Sequence, residues 1–227
     1  MRAKHERELV FLLDVDNTLL DNDRAKADME AGLLKILGEE GARHFWELYE
    51  EVRKELDVVS YPETLRRFAT EWKDKAEARE AARMVNKMPY EEYLFPGTLE
   101  AIRHLESMGE VAILSDGDPV YQPLKIANAG LAEAVGLEDV LIYTHKETCF
   151  EDVMHRLPGK HYVLVDDKEK ILALAKVVLG DKLTTVWVKQ GHYAHDPAQY
   201  RKPDPDITLE KIGDICKLSK AEFLRET

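Results

Sequence analysis

The chain has 227 residues, enough for one large domain or a core with a smaller insert, and 44% of them are apolar, which supplies a sizeable core. Its 32 basic and 44 acidic side chains leave a formal charge of −12, which argues against nucleic acid or an anionic membrane as a partner. Two cysteines, Cys149 and Cys216, do not make a disulfide scaffold, and the apolar run behind the charged start is too short for a signal-peptide core or a membrane span. The expectation is a cytoplasmic protein with reduced thiols.

In chain order, Leu9-Val10-Phe11-Leu12-Leu13 is an unbroken apolar run that ends in Asp14 and Asp16. Such a run suits a strand buried on both faces of a parallel sheet. If strand geometry persists to Asp16, the two carboxylates point the same way. Residues 24–88 then read as helix. Met29, Leu33, Ile36 and Leu37 form one stripe, punctuated by Gly38 and Gly41. Phe45, Leu48, Tyr49, Val52 and Leu56 form a second, and Leu65, Phe68, Ala69 and Trp72 a third behind Pro62 at a first helical turn. This excursion exceeds an ordinary crossover between strands, so residues 21–91 are expected to form a small all-helical cap inserted into a core made of 1–20 and 92–227.

Beyond the Phe95-Pro96-Gly97 turn, a helix is expected with Leu99, Ile102 and Leu105 on one face and Gly109 as its cap. Val111 to Leu114 is a second strand, ending in Ser115 and Asp116. Asp118-Pro119 reads as an N-cap with proline at the first helical position, and Leu124, Ile126 and Ala127 carry that helix to Gly130. Val140 to Tyr143, Tyr162 to Val165 and Thr184 to Val188 are three further strands. Lys146 follows the first of them, and Asp166-Asp167 the second. The alternation predicts a doubly wound parallel α/β sheet. Residues 192–205 read as an extended surface tail. Ile207 to Leu209 are placed at the sheet edge, and Ser219 and Glu222 make a capping box for a last short helix.

The strand ends collect one set of chemistry. Asp14, Asp16, Asp166 and Asp167 are four carboxylates, accompanied by the Ser115 hydroxyl and the Lys146 ammonium. Ligands of open α/β sheets sit outside the carboxyl ends of strands. Four carboxylates in one pocket raise one another's pKa, and a hard cation such as Mg²⁺ relieves that. Metal ligands together with a lysine and a serine suited to phosphate oxygens point to phosphoryl transfer. Asp116 and Asp118 are read mainly as loop-shaping or capping residues.

Asp14-Val15-Asp16-Asn17-Thr18, Ser115, Lys146 and Asp166-Asp167 come in the order of the four motifs of the haloacid dehalogenase superfamily, which the chain resembles over residues 9 to about 190. The helical insert resembles that family's cap placed after strand one. The resemblance implies Asp14 as nucleophile, forming an aspartyl-phosphate, and Asp16 as the proton donor and later acceptor. It implies Mg²⁺ held by Asp14, by the Asp16 main-chain carbonyl and by Asp166 or Asp167, with the lean to Asp166. It also implies that Ser115, Asp116 and Lys146 line the phosphoryl site. Two positions depart from the pattern: Lys170 stands where an acid often lies four residues past Asp166, and Glu147 follows Lys146 where proline is common.

The leading expectation is a phosphatase of a small phosphorylated metabolite, monomeric or homodimeric. The alternatives within the family are a phosphomutase and a dehalogenase, the latter disfavoured because its motif generally lacks the second Asp. A phosphonate hydrolase would need Lys26, Lys35 or Lys54 as a Schiff base, and a non-catalytic phosphate-binding module would not need Asp16. Substrate determinants are expected on the insert, around Tyr49, Arg53, Tyr61 and Arg66.

Overall fold

A computed structural model describes residues 6–225. The charged start from Met1 to His5 lies outside the described residues. Six parallel strands form one sheet in the order β3-β2-β1-β4-β5-β6. They are β1 (Arg7–Leu13), β2 (Glu110–Asp116), β3 (Val140–Tyr143), β4 (Gly159–Asp166), β5 (Leu183–Val188) and β6 (Ile207–Leu209). Ile207 to Leu209 thus do more than touch the edge: they pair with Val186 to Val188 as a sixth strand.

The apolar run of β1 is central and splits between the two faces, as the pleat requires. Leu9, Phe11 and Leu13 join the core beneath α4 (Thr98–Glu106), α5 (Tyr121–Asn128), α6 (Leu131–Val135) and α9 (Lys220–Leu224). Val10 and Leu12 join a second core beneath α7 (Phe150–Arg156) and α8 (Glu169–Leu179). Each such side chain contributes about 1.5–3 kcal/mol by leaving water. After β1 the chain continues on the β2 side, while β4 lies on the other, so the carboxyl end of β1 opens at a topological switch point.

Three helices occupy the excursion: α1 (Asn22–Leu56), α2 (Tyr61–Glu71) and α3 (Lys75–Asn86), which pack on one another. Gly38 interrupts α1 with φ 65° and ψ −178°, a conformation open to glycine and costly for other residues. Gly41, by contrast, does not end a helix. It lies inside α1 and lets Trp72 approach, since a β-carbon there would meet the indole at 2.9 Å. Phe45 and Phe68 form the centre of this helical unit, edge to face at 5.6 Å. Ser60 caps α2 ahead of Pro62, and Asp74 caps α3. Glu222 accepts from the Ser219 amide at 2.7 Å, closing the expected capping box of α9.

Two local readings are corrected. Leu99 is exposed, and Ala101 joins Ile102 and Leu105 on the buried face of α4. Pro119 precedes α5, which starts at Tyr121, although Asp118 accepts from the Val120 and Tyr121 amides as a cap does. Leu124 and Ala127 are exposed on α5, while Gln122 and Lys125 are buried. Among the described residues no helix is long and apolar enough to cross a membrane.

Candidate active site

β1 ends at Leu13, and the Asp14 amide still reaches the Val165 carbonyl at 3.0 Å, which seats Asp14 beside the end of β4. The chain then turns. Thr18, Leu19 and Leu20 direct their amides to the Val15 carbonyl, and Asn17 takes φ 63°, which asparagine tolerates better than most residues. The Thr18 hydroxyl donates to Asp14 Oδ2 at 3.0 Å. Lys146, in a single turn after β3, is fully buried. Its ammonium contacts Asp14 Oδ1 and faces Asp166 Oδ2 at 2.7 Å. Its amide is held by Asp116 Oδ1 at 2.7 Å, so Asp116 positions the lysine loop.

Asp14, Asp166 and Asp167 are all buried, and an oxygen of each lies within 4.8 Å of the others. Their engagements differ. Asp166 accepts the Lys168 amide at 2.9 Å on Oδ1. Asp167 is anchored through its main-chain carbonyl to the Trp187 indole at 2.9 Å, and neither of its carboxylate oxygens has a hydrogen-bond partner among the described residues. Burial, then the charges of Asp166 and Asp14, push the Asp167 carboxyl up to about 9. Burial also raises Asp14, against the pull of Lys146. Burial alone would lower Lys146, but attraction to Asp14, Asp166 and Asp116 outweighs it, and its ammonium is held above the usual value. Asp116 is raised by burial as well. Three acids with one fully buried base form a site short of positive charge, and two orphaned carboxylate oxygens are a costly feature that a bound cation removes.

Asp16 does not join the trio. Its carboxylate turns to α5, where Lys125 contacts Oδ1 and Gln122 Nε2 donates to Oδ2 at 3.3 Å. The expectation of four clustered carboxylates therefore becomes three, because strand geometry stops before Asp16. Ser115 lies buried at the end of β2 and receives Gln122 Nε2 at 2.9 Å.

The family model of haloacid dehalogenase-like hydrolases matches residues 9–178. The chain belongs to that family. A structure from Burkholderia xenovorans LB400, described as a haloacid dehalogenase-like hydrolase, is 41% identical, with a TM-score of 0.85 over 95% of this chain and 98% of that one. A 2-haloacid dehalogenase from Pseudomonas syringae pv. tomato shares the fold at 16% identity and TM-score 0.64, covering 92% of this chain and 97% of that one. A HAD phosphatase from Thermococcus onnurineus shares it at 20% identity and TM-score 0.59, covering 92% and 96%. No curated protein matched.

Several residues of this hydrolase's site escaped sequence reasoning. Lys125 and Gln122 were hidden by an apolar pattern that favoured Leu124. Lys168 feels the Asp14 charge, and its ammonium lies 4.8 Å from the Tyr193 ring centre. The tail carries Tyr193 there because His192 binds Asp23 through both its amide (2.8 Å) and Nδ1 (2.6 Å). On the insert, Tyr49 and Tyr61 are buried and sense the charge of Asp16, whereas Arg66 is spent on an exposed pair with Glu63. Cys149 and Cys216 are free thiols, and the Cys149 amide bonds the Lys146 carbonyl at 3.0 Å.

Proposed function

We propose that this hydrolase is a Mg²⁺-dependent, cytoplasmic phosphatase of a small phosphorylated metabolite, with residues 21–91 as a cap over the site. The observation that carries the reading is Asp167, a buried carboxylate with both oxygens unpartnered, 4.8 Å or less from Asp14 and Asp166. A hard cation fits that oxygen set. Asp14, Asp167 and the Asp16 main-chain carbonyl would hold it, with Asp166 adjoining through its contact with Lys146. When bound, the ion supplies charge neutralisation for a phosphoryl group beside these acids.

The remaining steps belong to the chain. Asp14 Oδ attacks phosphorus as the bond to the leaving oxygen breaks, and Asp16 gives that oxygen its proton. Water then attacks the aspartyl-phosphate, losing its proton to Asp16, and phosphate departs. Lys146 and Ser115 bind the phosphoryl oxygens, and Lys168 adds positive charge that Asp14 feels. The second carboxylate supports this reading over halide displacement, since a departing halide needs no proton.

The test is hydrolysis of p-nitrophenyl phosphate with and without Mg²⁺, by wild type and Asp14→Asn, followed by a panel of phosphorylated metabolites. Mg²⁺-dependent turnover that the variant lacks is expected. A wild type inert toward every phosphate ester, but active on a 2-haloacid, would overturn the phosphatase reading in favour of dehalogenation.

A further inference from the structure

Helix α5 makes an exchange that packing alone does not explain. Leu124 is 54% exposed, while its neighbour Lys125 is 4% exposed. The buried ammonium contacts Asp16 Oδ1, donates to Asn22 Oδ1 at 2.6 Å and lies 5.4 Å from the Tyr90 ring centre. Gln122, one turn earlier, takes the other Asp16 oxygen and reaches Ser115. A buried charge pair is a poor means of stabilising a fold, since an apolar side chain of similar size does as well or better. The cation at 125 therefore calls for another reason.

Asp16 supplies one. It lies beyond the end of β1, at the start of the turn, and its side chain is 30% exposed, so it has room to rotate toward solvent. Among the described residues its two oxygens are gripped from α5 alone. Asn22, the third partner of this group, opens α1, and its amide bonds Asn17 Oδ1 at 3.0 Å. The grip thus ties Asp16 to the loop of Asp14 and to the start of the helical insert.

We infer that Lys125, assisted by Gln122, is a positioning residue that holds the Asp16 carboxyl at the leaving-group side of Asp14. The inference rests on the phosphatase reading. As the Asp14–phosphorus bond forms and the phosphorus–leaving-oxygen bond breaks, Asp16 must already face that oxygen in its acid form, its proton on Oδ2, the oxygen the ammonium does not contact, to pass that proton over. Without Lys125 the carboxyl swings away and the leaving group departs as an anion.

Two esters of similar shape separate this role from a structural one. p-Nitrophenolate leaves readily without a proton, and phenolate does not. In single-turnover measurements with Mg²⁺, Lys125→Met should slow phenol release from phenyl phosphate by about 10²-fold, the scale of lost general-acid catalysis, and slow p-nitrophenol release by less than about threefold. KM should stay within about twofold for both esters. Lys125→Met added to Asp16→Asn should cost nothing further, because its effect runs through Asp16. Lys125→Arg keeps a cation within reach and should restore phenol release to within about tenfold of wild type; it also stands in should the methionine variant fail to fold. Equal losses on the two esters, a further loss in the double variant, or an arginine variant as slow on phenyl phosphate as Asp16→Asn would each overturn the assignment while an active wild type leaves the phosphatase reading intact. A wild type inert toward both esters would overturn the two together.

Discussion

Replacing Asp167 by asparagine tests the charge balance of the site most directly. At the 4.8 Å limit of the cluster, two ionised carboxylates repel by roughly 3–4 kcal/mol at an effective dielectric of about 20. Asp167 faces two such neighbours, and its carboxyl titrates near 9 against the usual 3.8. The sign follows from linkage. A carboxyl raised in the folded state keeps its proton while the unfolded chain loses it, so its contribution to stability is fully present below about 3.8 and is lost as pH rises toward about 9. Metal-free wild type should therefore melt at falling temperature across that window, and Asp167→Asn, which mimics the protonated acid, should decline less. The two should melt alike below about pH 4, diverge progressively from there to about pH 9 and keep a constant gap above it, the variant being the more stable.

Mg²⁺ acts in the opposite direction, in favour of the wild type. At a concentration about 100 times Kd, a ligand of the folded state adds about 2.7 kcal/mol. In a chain of this size that raises Tm by roughly 5–11 °C. A variant binding about 100-fold more weakly keeps only about 0.4 kcal/mol at the same concentration, or roughly 1 °C. Differential scanning fluorimetry at three pH values, with Mg²⁺ and with a chelator, reads all of this. An Asp167→Asn protein that keeps the wild-type Mg²⁺ shift would refute Asp167 as a ligand. A metal-free wild type whose Tm rises from pH 5 to pH 9 would refute the charge argument itself.

Other expectations are narrower. Asp16→Asn should lower turnover of phenyl phosphate by about 10²–10⁴-fold while keeping the Mg²⁺-induced Tm shift, because only its main chain is assigned to the metal; loss of that shift in thermal melts would contradict the division of roles. Gly191→Ala should lower both Tm and kcat, since a β-carbon there would lie 2.4 Å from that of Asn17 and the backbone sits at φ +66°. The stability loss should be about 1–3 kcal/mol, read by urea titration. Ser60→Ala removes the cap of α2 and its 2.5 Å hydrogen bond to Asp118, and should cost about 1–2 kcal/mol in the same assay.

Two kinds of information differ in how well they show in the residue order. Buried strands show plainly, because a run such as Leu9 to Leu13 has no other economical place, and the polar residues at strand ends then line up on one edge of the sheet by topology alone. That is why Asp14, Ser115, Lys146, Asp166 and Asp167 were legible from spacing. Side-chain engagement is not. Asp166 and Asp167 are adjacent and chemically identical, yet one is held by Lys146 and the Lys168 amide and the other has both oxygens unpartnered. Only the direction of the chain past β4 decides which is which. The tail failed for a related reason. His192 has no helical or strand period to announce it, and its bond to Asp23 joins residues 169 positions apart.

Lys125 shows the limit most clearly. Periodicity assigns buried positions to apolar residues, and on α5 that rule would favour Leu124 over Lys125. The rule presumes that a helix face is selected by transfer from water. Here the face toward Asp16 is selected by a carboxylate that has to be held, and the lysine is buried while the leucine beside it remains in solvent. Where local pattern and observed burial disagree without a gain in packing, function is the remaining source of the constraint. On that reasoning α5 belongs to the active site as much as the strand ends do, and a homologue that lacks a cation at 125 should hold its second aspartate by some other donor.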